Sequence, residues 1–455
     1  MSFRIGWYTT VCKTKGGEGL IIFFGFGFDS TRMLKKGGKD MVQKIFFCAI
    51  VLLSLMVFLP PVNSYSKDNI VVGTTISTTG SFTFASSQGF KGLQVWVDDV
   101  NKRGGIFVNE FNKKLPIKLV YYDDRSDKET VVRLYEKLVT DDKADICFAP
   151  FGSTLTGAAA AITEKYGKML IIWSAAADAI YEQGYKCLVS ATEVPNSLMP
   201  KPEVEHMASL GVKKMAVIYS DEPFTAGMAK YAKSIGEKLG MTVPIFEKYS
   251  PGTKDFTILL QKVQATSPEG FYASAYMDDL KNILRQMREL NIMFNYVYMV
   301  YSGMPQWLDL GDEGLYIFGH TLFHDDLKWK VNAGMDLTQF ETRFKTLFPK
   351  SEYPPDFQTS LAYGAGVILE EMIKKAGTLN AKDLKQAAID YSGKLTVMTG
   401  PYEIDSTGKQ LQMPFTVTQV QKDKNTGKLK FVLLWPKAVA TGEPVYPIPS
   451  WDKRK

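Results

Sequence analysis

Hydroxyl side chains that could bind an anion follow a short apolar run in the first half of the chain. The run 145–148 has strand character, Pro150 and Gly152 interrupt it, and Ser153 and Thr154 precede an Ala-rich segment that predicts a helix. Backbone N–H groups at a helix N-terminus lack partners inside the helix and favour negative charge. The pattern therefore predicts a binding corner for an anionic group, although an ordinary Ser or Thr helix cap would produce the same pattern.

Two further loops of small and hydroxyl residues follow predicted strands. The β-branched run 69–76 ends in a Ser- and Thr-rich loop that contains Thr79, and the run 169–173 ends at Trp173 and Ser174. Predicted helices alternate with these strands, which is typical of a doubly wound α/β sheet with parallel strands. Because the carboxyl ends of parallel strands meet at one edge of a sheet, we expect the three loops to converge on one crevice.

The alternation of strands and helices begins again after residue 195. Phe224, Tyr276, Tyr301 and Ser302 lie at or just beyond the ends of three strands predicted there. The predicted strands of this part are 215–219, 242–249, 270–276 and 296–301. Helices at 337–348, 358–375 and 381–391 and a strand pair at 415–420 and 431–435 are predicted to follow. The predicted fold class is therefore α/β, with two doubly wound parallel-sheet lobes.

The basic excess of the chain is confined to its first part. Residues 1–64 contain eight of the 54 Lys and Arg residues and three of the 48 acidic residues, so the remainder is close to neutral. This remainder lacks the electrostatic footprint of a nucleic-acid-binding protein, and no nucleic-acid partner is predicted. Cys147 and Cys187 are its two cysteines, and both a disulfide and a pair of free thiols are open alternatives.

The segment 41–64 has the pattern of a secretory signal peptide. A short basic region precedes the apolar run 45–59, and small residues at 62–64 offer a cleavage point before Tyr65. An uncleaved N-terminal anchor is the alternative. Residues 1–40 show no clear period, and we interpret them as a non-native leader upstream of a true start at Met33 or Met41. The predicted location is periplasmic or otherwise extracytoplasmic.

Seven short segments follow one another in a characteristic order between Asn69 and about Val420. They are Ser77-Thr78-Thr79-Gly80, Asn101-Lys102-Arg103-Gly104-Gly105-Ile106, Tyr122-Asp123-Asp124-Arg125-Ser126-Asp127, Pro150-Phe151-Gly152-Ser153, Gly184-Tyr185, Lys254-Asp255-Phe256 and Leu284-Arg285-Gln286. Their order and spacing resemble the leucine/isoleucine/valine-binding proteins of bacterial ABC transporters. The resemblance implies a small-molecule solute and the transporter's permease subunits as partners.

The same resemblance implies a type I periplasmic-binding-protein fold. Two lobes would be joined by three crossovers near 191–195, 318–322 and 395–400, and a hinge motion would close them on the ligand. On this division, residues 65–192 with 322–396 form the first ligand-binding lobe. Residues 193–321 with 397–435 form the second lobe, and 436–455 form a C-terminal tail.

Individual site residues are also implied by the resemblance. Ser153 matches the family position that holds the ligand carboxylate, and Ser174 lies where the family contacts the amino-acid head group. Tyr276 matches an aromatic residue of the second lobe. The family's first-lobe disulfide positions match Ser126 and Gly152, so this bridge is absent here.

Three implied site positions depart from the family pattern. Ala176 stands where the family usually has Thr, Phe224 replaces a Tyr, and Ser302 replaces the acidic partner of the ligand ammonium. Because a buried ammonium without an acidic partner is costly, the ammonium end of the site is predicted to be degraded. Three nearby acidic residues are candidates to replace that partner: Asp178, Glu222 and Asp278.

Aromatic residues are frequent in the loops expected to face the cleft. They are Phe82, Phe84, Trp173, Phe224, Tyr276, Tyr301 and Trp307. We hypothesise a ligand with a carboxylate or amide head and an apolar or aromatic body, while a branched-chain amino acid stays open. Packing is the alternative for about half of these rings, but Trp173 is expected to form a ligand wall. The predicted ligand-binding residues are Thr79, Phe82, Ser153, Thr154, Trp173, Ser174, Ala176, Phe224, Tyr276, Tyr301 and Ser302.

The sequence shows no constellation for catalysis. His320 and His324 have i,i+4 spacing without further ligand residues, and we interpret them as surface or hinge residues. The adjacent acids at 123–124 and 278–279 would point apart, and no phosphate-loop or dinucleotide fingerprint is present. We therefore predict a solute-binding module, not an enzyme, with no metal and no cofactor. A ligand-binding sensor domain is the alternative from another functional class.

Overall fold

The structure is a computed structural model that describes strands at 7–14 and 17–24 and residues 67–412 and 415–454. Trp7–Thr14 (β1) and Gly17–Phe24 (β2) pair antiparallel. The predicted signal segment 41–64 lies outside the described residues. A search of the described helices finds none that is long and apolar enough to span a membrane.

A five-stranded parallel sheet, here called the first sheet, is built from the residues that follow. In chain order the elements are Ile70–Ile76 (β3), Thr83–Lys102 (α1), Ile106–Val108 (β4), Lys113–Leu115 (β5), Ile117–Asp123 (β6), Lys128–Thr140 (α2), Ile146–Phe148 (β7), Ser153–Lys165 (α3), Met169–Ile172 (β8) and Leu188–Ser190 (β9). The strand order is β6-β3-β7-β8-β9, and β4 pairs with β5 as a separate hairpin. Strands β7 and β8 are apolar along their whole length because helices cover both faces of a parallel sheet.

The next part of the chain alternates strands and helices in the same way. Its elements are Lys201–Ser209 (α4), Met215–Ser220 (β10), Pro223–Lys238 (α5), Phe246–Tyr249 (β11), Thr257–Ala265 (α6), Gly270–Ser274 (β12), Met277–Glu289 (α7), Tyr296–Met299 (β13) and Phe318–Thr321 (β14). Strands β10 to β14 run parallel to one another.

The chain then returns to the first sheet before completing the second one. The returning elements are Leu337–Leu347 (α8), Phe357–Ala376 (α9), Ala381–Tyr391 (α10), Leu395–Val397 (β15), Gly400–Tyr402 (β16), Thr416–Lys422 (β17) and Leu429–Trp435 (β18). Helix α9 packs along α1, where Gly92 lies so close to the Thr359 carbonyl that a Cβ would be 2.0 Å from its oxygen. The second sheet has the order β11-β10-β12-β13-β14-β17-β18, with β17 and β18 antiparallel to their neighbours.

The predicted fold class is confirmed, but the last crossing between the sheets comes later than predicted. The pair β15–β16 forms its own antiparallel hairpin instead of entering the second sheet. Ser190 N–H donates to the Gly408 carbonyl at 2.8 Å, and the Gln410 side chain donates to Ala191 at 2.9 Å. These bonds hold the chain beside the first sheet up to Gln410, beyond the predicted boundary at 396/397.

The final residues pack against the second sheet. Ile448 N–H donates to the Asn295 carbonyl at 2.9 Å, and the Trp451 indole donates to Ile292 at 3.1 Å. The two thiols that the sequence left open are both free. Burial raises the pKa of the Cys147 thiol to about 12 and that of Cys187 to about 11, so both are poor nucleophiles near neutral pH.

Candidate functional site

The loop after β3 is held by a buried carboxylate. Asp124 accepts hydrogen bonds from the hydroxyls of Ser77 at 2.6 Å and Thr75 at 2.7 Å, and from Ser126 N–H at 2.9 Å. Ser126 Oγ in turn accepts from Phe82 N–H at 3.1 Å, which places Phe82 at the start of α1. This chain of short contacts explains why a loop of small polar residues can position a buried aromatic ring.

Tyr276 is the centre of an aromatic cluster that joins the two sheets. Its ring centroid lies 4.8 Å from Phe82, 5.9 Å from Tyr301, 6.1 Å from Phe224 and 6.4 Å from Phe151. Phe82 and Phe151 follow strands of the first sheet, whereas the other three follow strands of the second. All five rings are buried, and such pairs are worth about 0.5–1.5 kcal/mol each beyond area burial.

A cavity of about 410 Å³ lies beside this cluster, between the two sheets. Its lining residues come from the start of α1, the start of α7 and the loops near them: Gly80, Ser81, Phe82, Thr83, Phe84, Ala85, Ser87, Gln88, Lys91, Phe151, Tyr276, Met277, Asp278, Tyr301, Met304, Gln306, Glu352 and Tyr353. Two of these residues carry buried polar atoms without a hydrogen-bond partner, the Tyr276 hydroxyl and Gln306 Oε1. Buried polar atoms are normally paired, so these two are available to a ligand.

Two helix N-termini also face this cavity. Neither Phe82, which precedes α1, nor Tyr276, which precedes α7, forms a side-chain cap. Residues of the first turn of each helix line the cavity. The positive end of the α1 dipole therefore favours an anionic group there, whereas the first turn of α7 already carries Asp278 and Asp279. The sequence predicted such a corner at a different helix start, that of α3.

Ser153 and Thr154 lie away from this cavity, although the sequence placed them at the centre of the site. Ser153 Oγ accepts a hydrogen bond from Ala177 N–H at 3.0 Å. Both residues line a different cavity of about 430 Å³ next to Tyr185 and Pro223. Thr154 Oγ1 is buried without a partner there. Ser153 thus stabilises the next loop of the first sheet in this structure, and its predicted contact with a ligand stays a prediction.

The hydroxyls of Ser174 and Ser302 are paired inside the protein. Ser174 donates to Gln358 Oε1 at 3.1 Å, and Ser302 donates to the Phe318 carbonyl at 2.8 Å. Neither residue borders the 410 Å³ cavity. The exposed Thr79 lies outside the lining too, with its hydroxyl 3.4 Å from Asp123 Oδ2.

Trp173 packs inside the protein in this structure and does not line the 410 Å³ cavity, and its expected role as a ligand wall stays a prediction. Its indole N–H donates to the Ala149 carbonyl at 2.8 Å, and its ring lies behind Phe151 at 6.0 Å. Gly89 of α1 leaves space for the Trp173 ring, because a Cβ at this position would lie 2.0 Å from the indole. Ala176 is buried as well.

Glu193 is a buried acid that the sequence interpretation missed. It lies in the first crossover, is 5% exposed, and has one carboxylate oxygen, Oε1, without a partner. Burial raises its pKa well above the ordinary value, and the neighbouring Val194 N–H and Ser174 hydroxyl oppose part of this increase. The signal in the sequence was a single acidic residue inside the otherwise uncharged stretch 188–195, which nothing in the predicted secondary structure explained.

Glu222 was considered from sequence and lies near the cluster. It precedes α5 and accepts a hydrogen bond from the Ser220 hydroxyl at 3.1 Å. Burial raises its pKa. The charge of Glu222 also contributes to raised pKa values of Tyr276 and Tyr301, after burial as the main cause. Of the other two candidates, Asp278 lines the 410 Å³ cavity, and Asp178 accepts from the Ser197 hydroxyl at 2.6 Å.

His320 is buried, so the surface alternative of the sequence interpretation is wrong for this residue, and the hinge alternative stays a prediction. It is 1% exposed, and its Nδ1 lies 2.7 Å from Glu203 Oε1 and 2.8 Å from the Tyr298 hydroxyl. Glu203 Oε1, the Tyr298 hydroxyl and His320 Nδ1 thus satisfy one another, whereas Glu203 Oε2 and the Tyr272 hydroxyl are buried without a partner. Within the described part of the chain, no group of three or more His, Cys, Asp or Glu side chains could hold a metal ion.

Comparisons with known proteins agree with this two-sheet architecture. Residues 69–426 match the model of the periplasmic binding protein family. The leucine-, isoleucine-, valine-, threonine- and alanine-binding protein of Pseudomonas aeruginosa is 24% identical over 370 residues, which are 81% of this chain and 94% of that protein.

Solved structures share the fold at lower identity. The branched-chain amino acid transporter substrate-binding protein LivJ of Streptococcus pneumoniae, in complex with isoleucine, is 21% identical with a TM-score of 0.64, covering 81% of this chain and all of that one. An ABC transporter solute-binding protein of R. palustris, in complex with benzoate, is 18% identical with a TM-score of 0.68, covering 83% and 98%.

Proposed function

Because this chain belongs to the periplasmic binding protein family, we propose that it is the extracytoplasmic solute-binding component of an ABC importer. The proposed solute is a hydrophobic amino acid of the branched-chain type. A relative from Pseudomonas aeruginosa named for binding leucine, isoleucine and valine supports this choice. Proteins of this kind are binding proteins, and the proposal contains no chemical step.

The observation that carries the proposal is the aromatic cluster around Tyr276 beside the cavity between the sheets. A volume of about 410 Å³ is within the range of small-molecule sites. Its wall combines apolar rings with a few unpaired polar atoms, and this composition suits a small ligand with an apolar body and one polar head. The start of α1, which has no acidic residue in its first turn, would accept the carboxylate of such a ligand.

Closure of the two lobes is the proposed mechanism. The residues on the cavity wall come from both sheets, so a ligand that touches Phe82 and Tyr276 together stabilises the closed arrangement. Only a ligand with higher affinity for the closed state than for the open one can shift the equilibrium between them. The crossovers at 191–200 and 322–336 and the later one before β17 would act as the hinge.

Location and partners follow from the same proposal. The predicted signal segment 41–64 would direct the chain out of the cytoplasm. Permease subunits would then receive the solute from the closed protein at the membrane surface.

A second candidate is an aromatic or apolar carboxylate as the solute. Five aromatic rings form the cluster, and the R. palustris protein of the same fold was solved with benzoate. This candidate keeps the role of solute binding and changes the class of ligand. The two candidates differ in one group, the ammonium, which a screen of matched compounds can resolve.

A thermal-shift screen of the purified protein tests the proposal. We expect leucine, isoleucine or valine to raise the melting temperature, since a ligand at a hundred times its Kd adds about 2.7 kcal/mol. The variant Tyr276→Ala should lose at least about tenfold in affinity because it removes the central ring. Tyr166→Ala is the matched control, because Tyr166 is an exposed tyrosine at the end of α3. No shift with any amino acid or carboxylate would contradict the proposal.

A further inference from the structure

The start of α9 is fixed to the first sheet by buried polar contacts. Asp356, which precedes the helix and is 3% exposed, accepts a hydrogen bond from the side chain of Gln88 on α1 at 3.3 Å. The Gln358 side chain accepts from the Ser174 hydroxyl, in the loop after β8, at 3.1 Å. Phe357, the residue between Asp356 and Gln358, is therefore held on the side of the first sheet.

The ring of Phe357 nevertheless packs against the second sheet. Its centroid lies 5.7 Å from His320 on β14, 6.1 Å from Phe415 just before β17 and 6.4 Å from Tyr301 just after β13. The planes of Phe357 and Tyr301 differ by 7°, so these two rings stack. Phe357 is 2% exposed. One buried ring thus joins the two lobes.

These contacts lie where the crossovers enter the second sheet. His320 comes just before the crossover 322–336, and Phe415 comes at the end of the crossover that precedes β17. The two rings are 4.3 Å apart. His320 Nδ1 also lies 2.7 Å from Oε1 of Glu203 on α4, which follows the first crossover. Phe357 therefore reaches the point at which all three proposed hinge segments meet.

Tyr301 connects Phe357 to the candidate site. Tyr301 lines the 410 Å³ cavity, and its ring stacks on Tyr276 at 5.9 Å with 18° between the planes. Phe357 does not line that cavity and instead borders a different cavity of about 630 Å³, together with residues of the second crossover and β18. A solute in the 410 Å³ cavity would therefore sense Phe357 through Tyr301, and the larger cavity leaves the Phe357 ring space to move.

We propose that Phe357 is a positioning residue that couples solute binding to lobe closure by holding Tyr301 against the cavity. The inference rests on the proposed function and goes beyond it by naming the residue through which an occupied cavity acts on the hinge. Closely packed rings have discrete arrangements and do not deform continuously. A hinge rotation moves the start of α9 relative to His320 and Phe415, so the stack of Phe357 on Tyr301 favours the closed arrangement over the open one.

Isothermal titration of the full chain with L-leucine, L-isoleucine, L-valine and benzoate tests the inference. Phe357→Leu removes the ring and keeps an apolar side chain. It should weaken the affinity for the solute at least about fivefold, because a smaller fraction of the molecules is in the closed, binding-competent state. Phe357→Tyr keeps the ring, so its affinity should stay within about twofold of the unmodified protein.

Phe294→Leu is the matched control. Phe294 is 4% exposed, and its ring stacks on Phe271 at 5.0 Å inside the second lobe, away from the crossovers. The melting temperature of this variant measures how much stability the loss of one buried ring removes. Its solute affinity should not change.

A double-mutant cycle shows whether Phe357 acts through Tyr301. Tyr301→Leu should weaken binding by itself, because Tyr301 lines the 410 Å³ cavity. In that background, Phe357→Leu should change the affinity by less than about twofold, because the ring through which Phe357 acts is already absent. A residue that only stabilised the fold would lower the affinity by the same factor in both backgrounds.

The inference and the proposed function fail in different ways. Unchanged affinity in Phe357→Leu, full additivity in the cycle, or an equal loss of affinity in Phe294→Leu would overturn the inference and leave solute binding in place. A loss in Phe357→Tyr as large as in Phe357→Leu would also overturn it. If Phe357→Leu fails to fold, Phe357→Met replaces it, with the same expected loss, because its flexible side chain fills the space without a ring. Absence of binding by all four compounds to the unmodified protein would overturn the proposed function, on which the inference rests.

Discussion

Two buried carboxylates, Asp124 and Glu193, show how differently the protein uses similar groups. Asp124 is inaccessible to solvent and receives three short hydrogen bonds from Thr75, Ser77 and Ser126. Glu193 is almost as buried, yet one of its oxygens has no partner. Burial raises the pKa of both, but in Asp124 the hydrogen bonds oppose the shift more fully.

The difference in hydrogen bonding between Asp124 and Glu193 distinguishes a buried carboxylate that stabilises the fold from one that could bind a ligand. A buried polar group whose bonds are all made inside the protein builds the fold, because removing it leaves its donors unpaired. A buried polar group left unpaired lowers stability unless a ligand supplies the missing partner. The same contrast appears between two tyrosines of the second sheet and its loops. Tyr298 on β13 has a paired hydroxyl, and Tyr276, just after β12, has an unpaired one.

The largest expected effect is the loss of Asp124. In Asp124→Ala, two hydroxyls and one backbone N–H would lose their acceptor inside the protein, so we expect a loss of about 3–5 kcal/mol in the free energy of unfolding. Urea denaturation measures it. Asp309→Ala is a suitable control, since Asp309 is an acid on the surface whose side chain contacts Tyr353. A loss below about 1 kcal/mol would show that Asp124 is not the anchor of this loop.

Gly89→Ala should have the next largest effect. The added methyl group would collide with the Trp173 indole, and we expect a loss of about 1–3 kcal/mol, as for other overpacked cores. Gly157→Ala on α3 is the control, because nothing lies within 4 Å of the position of its Cβ. If Gly89→Ala instead leaves unfolding unchanged but weakens solute binding, Trp173 belongs to the ligand site as the sequence suggested.

The two tyrosines provide a matched pair of hydroxyl deletions. Tyr298→Phe removes a hydroxyl that donates to Glu203 and lies 2.8 Å from His320 Nδ1, and we expect it to cost about 1–2 kcal/mol of stability. Tyr276→Phe removes a hydroxyl without a partner, so stability should change by less than about 0.5 kcal/mol. Solute affinity should fall only in Tyr276→Phe. Calorimetric unfolding and binding titrations of both variants measure these differences. A larger loss of stability in Tyr276→Phe than in Tyr298→Phe, or a loss of solute affinity only in Tyr298→Phe, would contradict the comparison.

The smallest expected effect is a pH dependence of the empty protein. Because the pKa of Glu193 is raised in the folded state, its contribution to stability is complete at acidic pH and declines as the pH rises above the unfolded-state value near 4.5. The neighbours that act on this group are Val194 and Ser174, and it acts in turn on Tyr181 and Tyr301. Glu193→Gln should therefore melt higher than the unmodified protein at pH 8 without solute.

The difference in melting temperature between Glu193→Gln and the unmodified protein should decrease toward pH 4. Melting temperatures measured across this range test it, with Glu237→Gln as the control, because Glu237 is exposed on α5. A Glu193→Gln protein that melts lower than the unmodified one at pH 8 would show that Glu193 is satisfied in the fold.

Much of the architecture could be predicted because it depends on short-range patterns. The β-branched run 69–76 corresponds to β3, and the apolar face predicted at 358–375 corresponds to α9 packed on α1. The periods of strands and helices depend on residues that are close in sequence, so they can be recognised without knowing which element packs against them. The hairpin β15–β16 was harder to place, because the sequence of a three-residue strand does not indicate which strand it will pair with.

The sequence by itself determined two α/β sheets, small polar loops at the strand ends and aromatic residues concentrated near them. Only the tertiary structure decided which polar groups are already paired. Ser174 is bonded to Gln358, 184 positions away, and Asp124 to Ser77, 47 positions away. Whether a hydroxyl or carboxylate is free for a ligand depends on these distant partners, and no local pattern encodes them. That is why an aromatic residue such as Tyr276 could be expected near the strand ends from sequence, whereas the unpaired oxygen of Glu193 could be recognised only in the folded chain.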